Sequence, residues 1–239
     1  YALIIAVIGL ILLLAALGSS YKDLRAAGEQ GLAGKNDITA AIEAVKDQDW
    51  KTAGILATKA RSEFNGALVS LEKTESNPAI KNFGPARIQI DDLGYLLKTA
   101  EILSRSLERG IPIAAKLSQI SSGKGSFIDM PEAEKNLFLK TIYESEPELN
   151  GLKANLDLAL LNLDKIHKIG ILWPIYSQIS DIKQELSQAS ELLGKTTPLI
   201  KLLPALAGYP NTSRFLIILQ NNDELRPTGG FIGVYGILE

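Results

Sequence analysis

Cysteine is absent from all 239 residues, which excludes a disulfide framework and any thiolate metal site. There is one histidine, His167, and a lone imidazole without an acid cluster at ligand spacing cannot build a zinc site. His167 reads as a polar residue on an exposed helix stripe. Aromatic residues make up only 6% of the chain, so an aromatic-rich strand sandwich is disfavoured. A one-sign charge block is missing as well. The 25 basic and 27 acidic side chains are interspersed, the net charge is -2, and no basic stripe marks a nucleic-acid partner.

Charge is also missing from Tyr1–Gly18, YALIIAVIGLILLLAALG. A helix of about 20 apolar residues crosses a hydrocarbon core of about 30 Å, so this run is expected to be a transmembrane anchor, domain 1–20. Tyr1 and Tyr21 bracket it where interfacial aromatics sit. Two other readings stay open: a signal-peptide core, and the buried amino-terminal helix of a pilin-like filament subunit. The run is longer than a usual signal core. The familiar pilins have glutamate at the fifth mature position, where this chain has Ile5. The chain opens on Tyr1 rather than Met, and an upstream segment is expected. Lys22 and Arg25 are too few to set the orientation.

What is present in quantity is leucine, isoleucine and alanine at helical spacing; hydrophobic residues make up 46% and charged residues 22%. Ile38, Ala41, Ile42 and Val45, then Ala53, Leu56, Ala57, Ala60, Phe64, Ala67, Leu68 and Leu71, recur in steps of three and four. The spacing predicts two helices, the first capped by Asn36 or Asp37, joined by the polar turn Lys46-Asp47-Gln48-Asp49-Trp50. This pair resembles a tetratricopeptide-like hairpin, although no further period of about 34 residues follows. Gly28, Gly31 and Gly34 are expected to loosen the exit from the membrane.

Further helices are expected over about 86–109, about 113–120, from Met130-Pro131-Glu132 with Asp129 as cap and Pro131 at its first position, about 148–169 and about 175–193. Gly110 and Pro112 should break the first of these, and Gly194 should terminate the last. Charged pairs such as Glu101 with Arg105 read as solvated faces. Ser121–Ser126, SSGKGS, departs from a phosphate loop because Gly125 follows Lys124, so a surface loop is expected. The body, 21–195, thus reads as an antiparallel helical bundle or stalk around a leucine- and alanine-lined core.

The texture changes in domain 196–239. Arg214–Gln220 is an apolar run of strand length, a polar loop covers 221–230, and Phe231–Leu238 forms a second strand. The stretch SRFLIILQNNDELRPTGGFIGVYGILE resembles the opening of the bacterial domain-of-unknown-function 4012 family. There a strand leads into an Asn-Asn-x-Glu-x-Arg-x-x-Gly-Gly-Phe loop and a second strand, matched by Asn221, Asn222, Glu224, Arg226, Gly229, Gly230 and Phe231. The resemblance implies a single-pass protein of the bacterial cytoplasmic membrane with its bulk outside the cytoplasm, and no established activity. It also implies a longer mixed α/β region after the loop, of which this chain holds the first strands.

The expected fold class is therefore mainly α, with a transmembrane helix, an antiparallel bundle and the first strands of a truncated α/β domain. Asn221, Asn222, Glu224, Arg226, Gly229 and Gly230 form a candidate anion-binding or structural loop, because an arginine fork suits a carboxylate or phosphate. No catalytic residue, metal or cofactor is expected. The expected partners are the lipid bilayer through Tyr1–Gly18, and an envelope polymer or other envelope proteins. The leading functional reading is a structural or scaffolding envelope protein. The alternatives are an envelope glycopolymer-transferring enzyme that binds a lipid-linked diphosphate, and the filament subunit.

Overall fold

A computed structural model describes the backbone of residues 2–121, 126–168, 170, 172, 175–226 and 229–238. The side chains of 2–17, 19, 79, 221, 222, 224–226, 229 and 231 lie outside the description. The chain is mainly helical, with a small two-stranded sheet near its carboxy-terminal end. The described helices are α1 (Ala2–Lys46), α2 (Trp50–Glu75), α3 (Pro78–Asn82), α4 (Gly84–Ser121), α5 (Glu132–Glu144), α6 (Glu146–Asp164) and α7 (Tyr176–Leu206). The strands are β1 (Phe215–Arg226) and β2 (Gly229–Leu238). Two compact units are present, one of 1–116 with 147–194, the other of 117–146 with 195–239.

In the first unit α1 and α2 form the expected hairpin. Asp49 caps α2 by accepting from the Thr52 amide at 3.1 Å, and Gln48 holds φ at 58° in the turn. The entry differs from expectation. α1 is one uninterrupted helix, so Asn36 and Asp37 are interior and cap nothing. Gly31 and Gly34 serve packing instead of loosening the chain, whereas Gly28 has open space where a Cβ would stand. A Cβ at Gly34 would stand 3.0 Å from the Phe64 ring, and one at Gly31 would stand 3.3 Å from Leu97. Without a Cβ there, α2 and α4 approach α1 closely.

α4 also departs from expectation, running through Gly110 and Pro112 without a break. The proline removes one hydrogen-bond donor. Its neighbour Ile111 packs with Ala41, Ala53 and Ala57, and this burial holds the helix together across the proline. The apolar positions of α4 serve two sides. Ile90, with Ala27, Leu71 and Ile80, faces α1–α3. Leu93, Tyr95 and Leu96 pack against Leu163, Ile166, Leu172 and Ile179 from the α6–α7 region. The side-chain pattern of one central helix therefore unites the first unit.

α7 continues through Gly194, Pro198 and Pro204 to Leu206 rather than stopping at Gly194. Pro131 is the residue before α5, with no side-chain cap bond, and Asp129 belongs to a single 3-10 turn, Phe127–Asp129. Within the second unit, Tyr143 meets Tyr209 edge to face at 5.7 Å, and Lys201 pairs with Glu146 at 3.1 Å. β1 and β2 are antiparallel, pairing Phe215 with Leu238 and Ile218 with Tyr235. The polar segment expected to be a loop is drawn into the strands, with register shifts after Leu219 and after Asn221. Leu216 and Ile217 on β1, and Val234 and Tyr235 on β2, are all exposed, so the ribbon is apolar on both faces.

Among the described residues, no helix is long and apolar enough to cross a membrane. The side chains of the run expected to be the anchor, 2–17, lie outside the description.

Candidate functional site

An open cleft of roughly 590 Å³ lies where α2 ends, α3 turns and α4 begins. Its lining is Glu72, Glu75, Ser76, Ile80, Lys81, Arg87, Ile90 and Asp91. Local sequence explains the turn. The Ser76 amide closes on the Glu72 carbonyl and the Asn77 amide on the Thr74 carbonyl, which ends α2. Pro78 then opens α3, and Pro85 sits in the first turn of α4, where its missing donor costs nothing. Ile80 and Ile90 form an apolar floor that reaches into the core against Ala27 and Leu71.

The cleft carries both signs of charge. Partial desolvation and the neighbouring Asp91 push the Glu75 carboxyl above its usual value, although it keeps contact with solvent. Arg87 reaches Asp91 only loosely, at 3.8 Å, leaving most of its guanidinium in solvent. The Ser76 hydroxyl donates to the Glu72 carbonyl at 2.9 Å and is held there. This lining can bind charged groups of both signs; it does not present an activated nucleophile.

A second polar feature lies deeper. Asp92 is fully buried, and its Oδ1 accepts from the His167 amide at 3.2 Å and lies 2.9 Å from His167 Nδ1. His167 is thus a bonded residue in the α6–α7 connection, not a polar residue on a helix stripe. Gly170, three residues on, has φ +97°, and a Cβ there would collide with the Gln89 side chain. Contacts from Asp92 and Gln89 together fasten the connection to α4. The two bonds to Asp92 join this connection to α4.

Glu101 and Arg105 are likewise more than a solvated face. Glu101 lies 3.2 Å from Arg105 and 3.5 Å from Arg61, and Arg61 reaches Glu108 at 2.7 Å. The Arg61 hydrogen bond, joined by one from Thr58, holds the Glu108 carboxyl below the usual carboxylate range. This network ties α2 to α4.

Asn221, Asn222, Glu224, Arg226, Gly229 and Gly230 fall at the tip of the β1–β2 ribbon. The backbone register sets Asn221 opposite Phe231 and Arg226 opposite Gly229. The side chains of Asn221, Asn222, Glu224 and Arg226 lie outside the described residues. Residues 122–125 of the SSGKGS segment lie outside them too. Neither the cleft nor the Asp92–His167 pair is visible as a motif: the cleft is assembled from the ends of two helices and their connector, and the pair joins residues far apart in the chain. Among the described residues no group of three histidine, aspartate or glutamate side chains is placed to hold a metal ion. No protein-family model, no curated protein and no solved structure matches this chain.

Proposed function

We propose that the chain is a single-pass, membrane-anchored protein of the bacterial envelope whose helical body acts as a scaffold outside the cytoplasm. The observation that carries this reading is the continuity of α1. The chargeless run Tyr1–Gly18 and the segment that packs against α2 and α4 belong to one helix, Ala2–Lys46, with no flexible joint between them. At 1.5 Å per residue such a helix is roughly 68 Å long, enough to cross a hydrocarbon core and still build a bundle beyond it. In this reading the helices form an antiparallel bundle, and β1–β2 opens an α/β domain. Strands apolar on both faces are those that become covered on both sides. The resemblance of Asn221–Phe231 to the domain-of-unknown-function 4012 family supports the same placement. The bilayer is the first partner, and an envelope polymer or another envelope protein is the second.

The test is alkaline carbonate extraction of bacterial membranes carrying the full chain, beside a version with Leu10, Leu12 and Leu14 replaced by aspartate. The native chain should stay in the membrane pellet and the substituted one should move to the supernatant. A native chain released by carbonate overturns the reading.

A further inference from the structure

The cleft between α2 and α4 stands at a defined height relative to the apolar run. Ser20, two residues past Gly18, is buried, and its Oγ accepts a hydrogen bond from Asn77 Nδ2 at 2.9 Å. The α2–α3 turn is therefore level with the end of the run. The cleft floor, Ile80 and Ile90, shares a buried cluster with Ala27, which is nine residues past Gly18 and roughly 13 Å along the helix axis. A headgroup layer is about 5–8 Å thick on each side of the hydrocarbon core. With the run in lipid, the mouth of the cleft meets the headgroups. Tyr21, three residues past Gly18, is exposed, as interfacial aromatics are.

The lining specifies the chemistry of an occupant. Glu72, Glu75 and Asp91 line the cleft as three carboxylates, and burial together with the neighbouring Asp91 holds the Glu75 carboxyl above its usual value. Lys81 and Arg87 stand in the same cleft, Lys81 exposed to solvent and Arg87 only loosely paired with Asp91. A group carrying an ammonium and a phosphate a few bonds apart satisfies both sets. A primary ammonium offers three N–H donors to carboxylates, and charge-assisted bonds of that kind are the strong ones. A choline group has no N–H to give. The volume, roughly 590 Å³, lies within the range of small-molecule sites.

We propose that this cleft holds the phosphoethanolamine headgroup of a membrane phospholipid, its ammonium against Glu75 and Asp91 and its phosphate against Lys81 and Arg87. The inference rests on the membrane-anchored reading and adds a lipid specificity to it. The bound headgroup ties the base of the bundle to the bilayer surface beside the anchor.

Two measurements on the full chain separate this inference from the reading beneath it. Flotation with phosphatidylcholine vesicles tests the anchor alone; a chain that fails to float overturns the anchored reading and the inference with it. Native mass spectrometry in detergent, with phosphatidylethanolamine and phosphatidylcholine of matched acyl chains at equal concentration, tests the cleft. The ethanolamine lipid should be retained about tenfold over the choline lipid, the worth of one charge-assisted hydrogen bond. The double substitution Glu75→Gln with Asp91→Asn should bring the ratio close to one, and Lys81→Ala with Arg87→Ala should reduce retention of both lipids. A ratio near one on the native chain, with flotation intact, overturns the inference alone. That ratio needs no variant, so a misfolded substitution does not protect the idea.

Discussion

Asn77 donates from Nδ2 to the hydroxyl of Ser20 at 2.9 Å, across 57 residues of sequence. This bond joins the turn that ends α2 to the point where the apolar run gives way to the bundle. Asn77→Ala should cost about 1 kcal/mol, the net worth of one such bond. Thermal unfolding of the detergent-solubilised chain should show a midpoint lowered by roughly 2–4 °C. An unchanged midpoint would mean the turn is held elsewhere.

The glycines of α1 divide into those that pack and those that do not. Gly34 faces the Phe64 ring, whereas Gly28 has open space where a Cβ would stand. Gly34→Val should therefore lose about 1–3 kcal/mol by overpacking. Gly28→Ala should gain up to about 1 kcal/mol, because alanine orders a helix more readily than glycine. Denaturant titration of both variants checks the opposite signs.

Asp92 accepts twice from His167, once from the ring and once from the backbone amide. Asp92→Ala removes the one oxygen that takes part in both bonds, at a fully buried site, and should cost about 1.5–3 kcal/mol. His167→Ala keeps the amide donor and should cost less. Equal losses in a denaturant comparison would show that the backbone bond contributes nothing.

Acid should weaken the α2–α4 seam. The folded-state value of Glu108 is depressed by Arg61 and Thr58, so its contribution is complete above the unfolded carboxylate value, about pH 4.3, and lost as pH falls through the lower folded value. Glu75 is raised and has the opposite sign, gaining relief on protonation as pH falls. Melting midpoints should decline below about pH 4.5. Glu108→Gln should flatten the decline, and Glu75→Gln should steepen it.

How much of this was legible in the sequence depends on distance along the chain. Apolar steps of three and four marked α1, α2 and α4, and the turn with Asp49 as cap is where the polar run put it, because those signals are local. The breaks expected at Gly110–Pro112 and at Gly194 did not occur. A proline or glycine weakens a helix by about 1–3 kcal/mol, and at Gly110–Pro112 the burial of Ile111 and its neighbours outweighs that. The packing of Gly31 and Gly34 is not legible, because nothing local announces that Leu97 and Phe64 come to rest against them. His167 is exposed as expected but lies in a connection rather than on a helix stripe, and its bonds to Asp92 are not legible because that partner lies 75 residues earlier. The cleft draws on two helix ends and a connector and has no sequence motif, while the Asn221–Gly230 motif is dense in sequence and only its backbone register is described.

The central claim is that the first residues lie in lipid while the rest of the same helix stands in water. Because the chain has no native cysteine, single cysteines can be placed at Ile5, Leu10, Leu14, Tyr21 and Leu32 without background. Intact bacteria carrying the full chain are then treated with a membrane-impermeant maleimide. Labelling at 21 and 32 with protection at 5, 10 and 14 is the predicted result. Uniform labelling of all five positions, or protection of 21 and 32 until the cells are lysed, would contradict it.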